Sequence, residues 1–472
     1  MATLLGLDFG STTCSAVIAA AHVVRNTVTG RMELSDIRET FRAELVFTPL
    51  IGERLDEAAI AAQLDRWLIE GNVRPEDIVG GGALLTGLTA RRANADAIVR
   101  IIRARIGDAL VASADDPCLE SWLAFMGSCV SLSRRHPECH FLHLDIGGGT
   151  TNLALGYCGE VLATGCLLVG ARHIRVEPGT YHIVGLSALA IELLAGLGIR
   201  KTVGEELDPH EVQAVLDYQV ALLEAAVSGD TSVFASPLAR QHLQVAIPAF
   251  PVGFHDRPLV LTLSGGVGEL VYAQVHGASQ LSTTAFGDLG IDLARAIARH
   301  PRWQKNFRDY RPEAGGRATV YGLLRHSTQL SGSTLHLTAT HLLPLRDLPI
   351  VGTIGPETTD AALHTLLDLV CRSRCGGAIR VELLPNDASC VRSVGARIGQ
   401  AVRDRKFPAD LPLVILLRQN AGKTLGQYMT QWGRHALSLL VVDEIDWREA
   451  NFVHLGIMRD QTIPVSFFGL PS

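Results

Sequence analysis

Two aspartate–glycine loops, 137 residues apart, constrain this 472-residue chain more than any other feature. The first is Leu5-Gly-Leu-Asp-Phe-Gly-Ser-Thr-Thr-Cys14, the second His143-Leu-Asp-Ile-Gly-Gly-Gly-Thr-Thr-Asn152. Each begins as an apolar run fit for a buried strand, passes through Asp, Gly and hydroxyl residues, and returns to apolar sequence. Glycine lets backbone N–H groups approach a phosphate closely, and Ser or Thr hydroxyls add donors. The Asp offers a hard oxygen suited to Mg²⁺ held through water. Two such hairpins predict a duplicated fold closing on one nucleotide from both sides.

A third cluster, Leu261-Thr-Leu-Ser-Gly-Gly-Val-Gly-Glu-Leu270, again runs from a strand into glycines and on into helical spacing. The order of the three motifs resembles the actin, heat-shock-chaperone and sugar-kinase ATPase superfamily. That resemblance implies α/β architecture with duplicated actin-like (ribonuclease H-like) ATPase domains. On this reading Asp8 with Gly10, Ser11, Thr12 and Thr13 holds one side of the phosphates of ATP. Asp145 with Gly147, Gly148, Gly149, Thr150 and Thr151 holds the other, and Gly265, Gly266 and Gly268 line the adenosine. Asp8 and Asp145 would hold hydrated Mg²⁺, and one of them would orient the attacking water. The plainer alternative is a pair of turn-capping aspartates, which accounts less well for their glycine and hydroxyl setting.

Length predicts two or three domains. Lys plus Arg number 42 against 48 Asp plus Glu, a net charge of −6, so nothing draws the chain to nucleic acid or an anionic membrane. No apolar run approaches bilayer length, since Gly185–Ile199 is interrupted by Glu192. The start shows no signal-peptide pattern. Nine scattered cysteines fit reduced thiols. The expected location is therefore cytoplasmic.

Hairpins are predicted at 4–20 and at 141–157, with a further strand at 160–164 and another at Leu259–Leu263. Gly80–Gly87 reads as a glycine turn, a short strand and a loop. Helices are predicted at Asp56–Glu70, Asn94–Ile106, Pro117–Leu132, Leu186–Leu197, His210–Val227 and Gly290–His300. Thr319–Thr340 reads as strand-like. From about Ile350, helix and strand candidates alternate, as suits a separate α/β domain. The expected division is 1–140 and 141–305 for the two ATPase domains and 306–472 for the C-terminal one.

The superfamily places a helix between its two halves, and Pro117–Val130 stands in the right place. Asp116 and Glu120 at its start are candidates for a water-positioning carboxylate. Alone, each is better explained as a helix cap or a first-turn acid. The helix after Gly290, with Ala294, Ala296 and Ala298, is expected to be the matching second connector. Gly422-Lys-Thr424 resembles the end of a phosphate loop, but Leu417 stands where the earlier glycine belongs. Cys371 and Cys375 lack a second pair. His136, Cys139, His140 and His143 cluster in sequence without two well-spaced ligand pairs.

Further stretches narrow the branch: Thr86-Gly-Leu-Thr-Ala-Arg-Arg-Ala-Asn-Ala95, Leu119-Glu-Ser121, Gln329-Leu-Ser-Gly-Ser-Thr334 and Gln419-Asn-Ala-Gly-Lys-Thr-Leu-Gly426. Together with the phosphate loops, this set resembles the reactivating factors of ethanolamine ammonia-lyase over nearly the whole chain. The resemblance implies a chaperone-like Mg²⁺-dependent ATPase that releases damaged cobalamin from the inactivated lyase. It implies ethanolamine ammonia-lyase and ATP/ADP as partners, and leaves open a homodimer and an association with the ethanolamine microcompartment. No lysine corresponds to the phosphate-contacting lysine of the heat-shock relatives, which implies slow or lyase-dependent turnover. A small-molecule kinase of the same fold and a non-enzymatic actin-like scaffold are the alternatives.

Overall fold

The computed structural model describes residues 1–51, 54–86, 93–107, 110–112, 116–248, 250, 256–278, 281–332, 334–384, 387–459 and 461–469. Residues 87–92, within the Thr86–Ala95 stretch quoted above, and Ser333 lie outside them.

The first two sheets repeat one topology. In the first, Met32–Arg42, Thr13–Arg25, Ala2–Phe9, Ile78–Leu85 and Leu110–Ala112 stand in that order, with Val46–Phe47 also paired to Thr13–Arg25. In the second the order is Leu243–Val245, Glu160–Leu167, Thr151–Tyr157, His140–Ile146 and Leu259–Ser264. Each is an antiparallel meander whose first strand then accepts a parallel neighbour. This is the duplicated actin-like plan, and both phosphate-loop hairpins occupy its first turn.

Strand alternation decides which side chains face which layer. Leu5, Leu7 and Phe9 point into a core with Ile60, Leu64 and Trp67 of helix Glu57–Glu70 and Ile98 and Ile102 of helix Ala95–Ile106. Leu4 points to the opposite face, where helix Ala318–His326 lays Val320, Tyr321 and Leu324. In the second sheet Leu142, Leu144 and Ile146 face one core, whereas Phe141 meets Phe125 and Cys129 of the Pro117–Cys129 segment. Asp8 and Asp145 share the parity of the second set. Both therefore look toward helices that pass between the domains.

Those two helices cross each other. Pro117–Ser128 lies on the second sheet, Ala318–His326 on the first, and Leu119, Leu123 and Leu323 bury between them. Glycine makes the crossing possible. A Cβ on Gly127 would overlap Ala318 O, and one on Gly322 would overlap Leu123 O. Gly6 gives the same close approach between strand and helix, since a Cβ there would meet Val320 O at 2.8 Å.

The second connector is thus Ala318–His326, in a stretch that the β-branched residues Thr319 and Val320 suggest is strand. Packing on three sides outweighs that weak propensity. Only Thr328–Leu330 and His336–Leu337 are strands there. The expected connector, Gly290–Ala298, packs instead on Gly265–Val275 within the second domain core. Gly80–Gly82 are not a turn but the middle of strand Ile78–Leu85. Their bare backbone admits Thr328, whose hydroxyl accepts from Gly81 N at 3.0 Å.

The C-terminal part builds a mixed eight-stranded sheet. Its centre is four parallel strands, Leu345–Ile354, Gly377–Val381, Leu413–Leu417 and Leu439–Val442. Helices Asp360–Arg372, Ala388–Asp404 and Gly422–Thr430 cover one face. Arg448 ties this domain to the connectors. Its guanidinium lies 3.6 Å from the Trp122 ring centroid and donates to His326 O at 2.5 Å. Burial lowers its pKa to about 10.

Gly127→Ala and Gly322→Ala should each destabilise the chain by roughly 1–3 kcal/mol, the range for overpacked sites. Urea unfolding measures this. Wild-type stability in both variants would mean that the helices do not cross at these glycines.

Candidate functional site

Both loops turn in the same way at the same distance from their aspartates. Gly10 N donates to Thr13 O at 3.0 Å, and Gly147 N to Thr150 O at 2.9 Å. Asp8 pairs opposite Ser15 and Asp145 opposite Asn152, the same register in each hairpin. The loops meet, for a Cβ on Gly148 would overlap Thr12 Oγ1. Sites predicted from remote stretches thus share one cleft between the domains.

Neighbouring strands and the connectors complete it. Asp8 accepts from Thr86 Oγ1 at 3.1 Å, at the end of the adjacent parallel strand. It also accepts from Thr319 Oγ1 at 2.9 Å, in the first turn of the second connector. Asp145 accepts from Ser264 Oγ at 2.6 Å. Ser264 in turn lies 2.8 Å from Nε2 of His143, a fully buried imidazole also bonded to Ser128 of the first connector. Burial pushes the His143 pKa down to about 3, so the ring is neutral. Glu120 comes from the first connector and hydrogen-bonds Asn152.

Burial and mutual repulsion set the electrostatics of these carboxylates. Burial raises Asp8 from 3.8 to about 6. Burial, and secondarily the Asp8 charge, does the same to Asp145. Glu120 is raised well above its usual range, first by burial and then by repulsion from Asp8 and Asp145. Among the described residues no Lys or Arg pairs with any of the three. Carboxylates withdrawn from water without a counter-charge are costly when ionised, and a hydrated divalent ion would suit such a set. Among the described residues no group of three or more His, Cys, Asp or Glu side chains is arranged to ligate a metal directly. An ion here would keep much of its water.

The remaining expected residues divide. Gly265 has φ +77°, and a Cβ on it would lie 2.8 Å from Asp145 Oδ1, so it abuts the acidic centre. Gly266 faces open space. Gly268 is buried, and a Cβ there would press on Leu263 at 3.1 Å, so it serves helix–strand packing. Thr151 turns its hydroxyl inward to Val169 O at 2.8 Å. Asp116 caps its helix through Leu119 N at 2.9 Å and accepts from Gly469 N at 2.5 Å. Gly149 O accepts from His173 Nε2 at 2.8 Å.

Sequence reasoning missed several members. Arg172 donates its backbone N–H to Gly148 O at 2.6 Å, and its side chain lies beside that glycine, 3.8 Å from Asp288. It brings a cation to the second loop where no lysine was found. Thr48 donates to Gly10 O at 2.6 Å. Only the glycine-flanked Val169-Gly-Ala-Arg172 gave any sign of the arginine.

The profile of the family described as "Ethanolamine utilisation protein EutA" matches residues 2–470. The chain belongs to that family. Two curated relatives are named ethanolamine ammonia-lyase reactivase EutA. The one from Escherichia coli is 29% identical over 98% of this chain and 97% of its own length. The one from Salmonella typhimurium is 28% identical with the same coverage. Among solved structures, an exopolyphosphatase from Cytophaga hutchinsonii aligns with 62% of this chain and 88% of its own at 14% identity and TM-score 0.36. The ethanolamine utilization protein EutJ from Carboxydothermus hydrogenoformans aligns with 69% and 89% at 11% identity and TM-score 0.30. Among the described residues no helix is long and apolar enough to cross a membrane.

Asp8→Asn and Asp145→Asn should stabilise the nucleotide-free protein at pH 8. The native carboxyls hold their protons up to about pH 6, whereas unfolded ones release them near 4. Stability therefore falls as pH rises between those values and stays lowered above them. Removing the charge recovers up to about 3 kcal/mol per site, and the gain should vanish near pH 4. Chemical denaturation at both pH values checks this. A gain independent of pH would refute the cost of ionising these carboxyls inside the protein.

Proposed function

We propose that this protein is the ATP-dependent reactivating factor of an adenosylcobalamin-dependent ethanolamine ammonia-lyase. It would release damaged cobalamin from the inactivated enzyme so that intact coenzyme can enter. What supports the target is the match, over nearly its full length, to two relatives named as reactivases of that lyase. What supports nucleotide use is one observation above all. Two like hairpin loops meet at Thr12 and Gly148 around the partly buried Asp8 and Asp145 and the buried Glu120, with no cationic partner among the described residues.

On this reading the division is 1–140 and 141–305 for the gripping domains and 306–472 for the third. Gly10, Ser11, Thr12 and Thr13 hold the phosphates from one wall, and Gly147, Gly148, Gly149 and Thr150 from the other. Asp8 and Asp145 hold the hydration shell of Mg²⁺, which would supply positive charge to the phosphates. Thr86, Thr319 and Ser264 keep the two aspartates aimed inward. Glu120 orients a water through its free lone pairs, and Asp116 is left to its capping role. Arg172 supplies the fixed cation. Gly265 and Gly266 leave room for the nucleoside.

Coupling to the lyase follows from the connectors. Thr319 and Glu120 touch the cleft from helices that cross at Gly127 and Gly322. A change of domain angle with nucleotide state moves that crossing, and Arg448 carries the movement to the C-terminal domain. A lyase that binds one angle better than the other is thereby driven through release and reloading. The setting implied is the cytoplasm, in association with the ethanolamine microcompartment.

The test is rescue of lyase inactivated by hydroxocobalamin, with ATP, Mg²⁺ and fresh coenzyme. Asp8→Ala and Asp145→Ala should each lower the rescue rate about a hundredfold or more while still co-purifying with the lyase. Unimpaired rescue by both variants would remove the cleft from the mechanism.

A further inference from the structure

The C-terminal domain holds a second acidic centre that the nucleotide cleft does not use. Asp443 and Glu444 follow strand Leu439–Val442 directly, at the carboxyl edge of the parallel strands. Loops at that edge are where open α/β sheets place ligands. Two of the stretches that carry the family resemblance converge there, Gln329–Thr334 and Gln419–Gly426.

Asp443 is fully buried and Glu444 is 7% exposed. Asp443 Oδ2 accepts from Gly422 N at 2.8 Å and from Thr334 Oγ1 at 2.5 Å. Glu444 Oε1 accepts from Asn420 Nδ2 at 2.7 Å. Among the described residues the other two oxygens, Asp443 Oδ1 and Glu444 Oε2, have no side-chain hydrogen-bond partner. They stand side by side, because a Cβ on Gly332 would overlap Glu444 Oε2 and lie 2.8 Å from Asp443 Oδ1. Among the described residues no Lys, Arg or His pairs with either carboxylate.

The chemistry of the gap follows by elimination. Two buried carboxylates of like charge need a counter-charge or a proton. An anion is excluded because the amide of Gly422, at the start of helix Gly422–Thr430, is already taken by Asp443. Among the described residues the lone-pair donors that could ligate a cation here are oxygens: two carboxylates, the Asn420 carbonyl and the Thr334 hydroxyl, the last two 2.6 Å apart. Such a set selects a hard cation over zinc or copper. We propose that Asp443 and Glu444, with Asn420 and Thr334, bind one Mg²⁺ or Ca²⁺ ion that locks the Gln329–Thr334 segment onto the C-terminal sheet. This site is separate from the nucleotide cleft and does not rest on the reading of it.

The full-length protein, stripped of metal and free of nucleotide, is titrated with CaCl₂ and with MgCl₂ by calorimetry. One ion per chain should bind, and binding should persist in the Asp8→Asn/Asp145→Asn double variant. It should be lost in Asp443→Asn/Glu444→Gln, and weakened at least tenfold in Asn420→Ala, whose exposed side chain leaves the fold intact. No binding of either ion by the wild type, up to several times the ~1 mM of weak protein calcium sites, would overturn the proposal and leave a shared proton as the counter-charge. So would an affinity unchanged in Asn420→Ala, which decides the matter even where the Asp443 double variant does not fold.

Discussion

Three carboxylates drawn together, two partly buried and Glu120 buried within the protein, with no Lys or Arg paired to them among the described residues, dominate the chemistry of this molecule. Asp8, Asp145 and Glu120 come from two hairpins and one connecting helix, and each raises the cost of ionising another. A fold optimised for stability alone would not assemble them. Hydrophobic cores on the far faces of both sheets hold the arrangement in place. The cleft therefore carries an electrostatic cost that positive charge would offset.

The same constraint explains the connectors. A cleft between domains can report its state only through elements that touch both. The crossing of Pro117–Ser128 with Ala318–His326 is such a contact, made at backbone distance where Gly127 and Gly322 permit it. Each helix sends one polar side chain to the acidic centre, Glu120 from one and Thr319 from the other. Arg448, stacked on Trp122 and bonded to His326 O, fastens the third domain to the same crossing.

Much of the fold was legible because its signals are local. Both hairpins, the helices at Asp56–Glu70 and Asn94–Ile106, and the alternating C-terminal elements announce themselves by period and by loop chemistry over a dozen residues. The second connector did not. Thr319 and Val320 look like strand residues, and only a sheet and a second helix pressed against them make helix the better state. Gly80–Gly82 misled for the opposite reason: glycines that read as a turn are there to let Thr328 approach a strand. Glu120 could be singled out but not separated from Asp116 by sequence, as both stand at a helix start. Burial separates them, leaving one inside the cleft and the other tied to Leu119 N and Gly469 N.

By itself the sequence determined that two acidic glycine loops exist, that they follow like strands, and that a further α/β unit comes after them. Those are properties of short windows, where backbone permissiveness and side-chain alternation act between near neighbours. Only the tertiary structure decided that the loops meet, that Thr319, Ser264 and Arg172 join them, and that Asp443 and Glu444 turn bare oxygens toward each other. Those depend on burial and on contacts across hundreds of residues, where chain connectivity carries no information about distance.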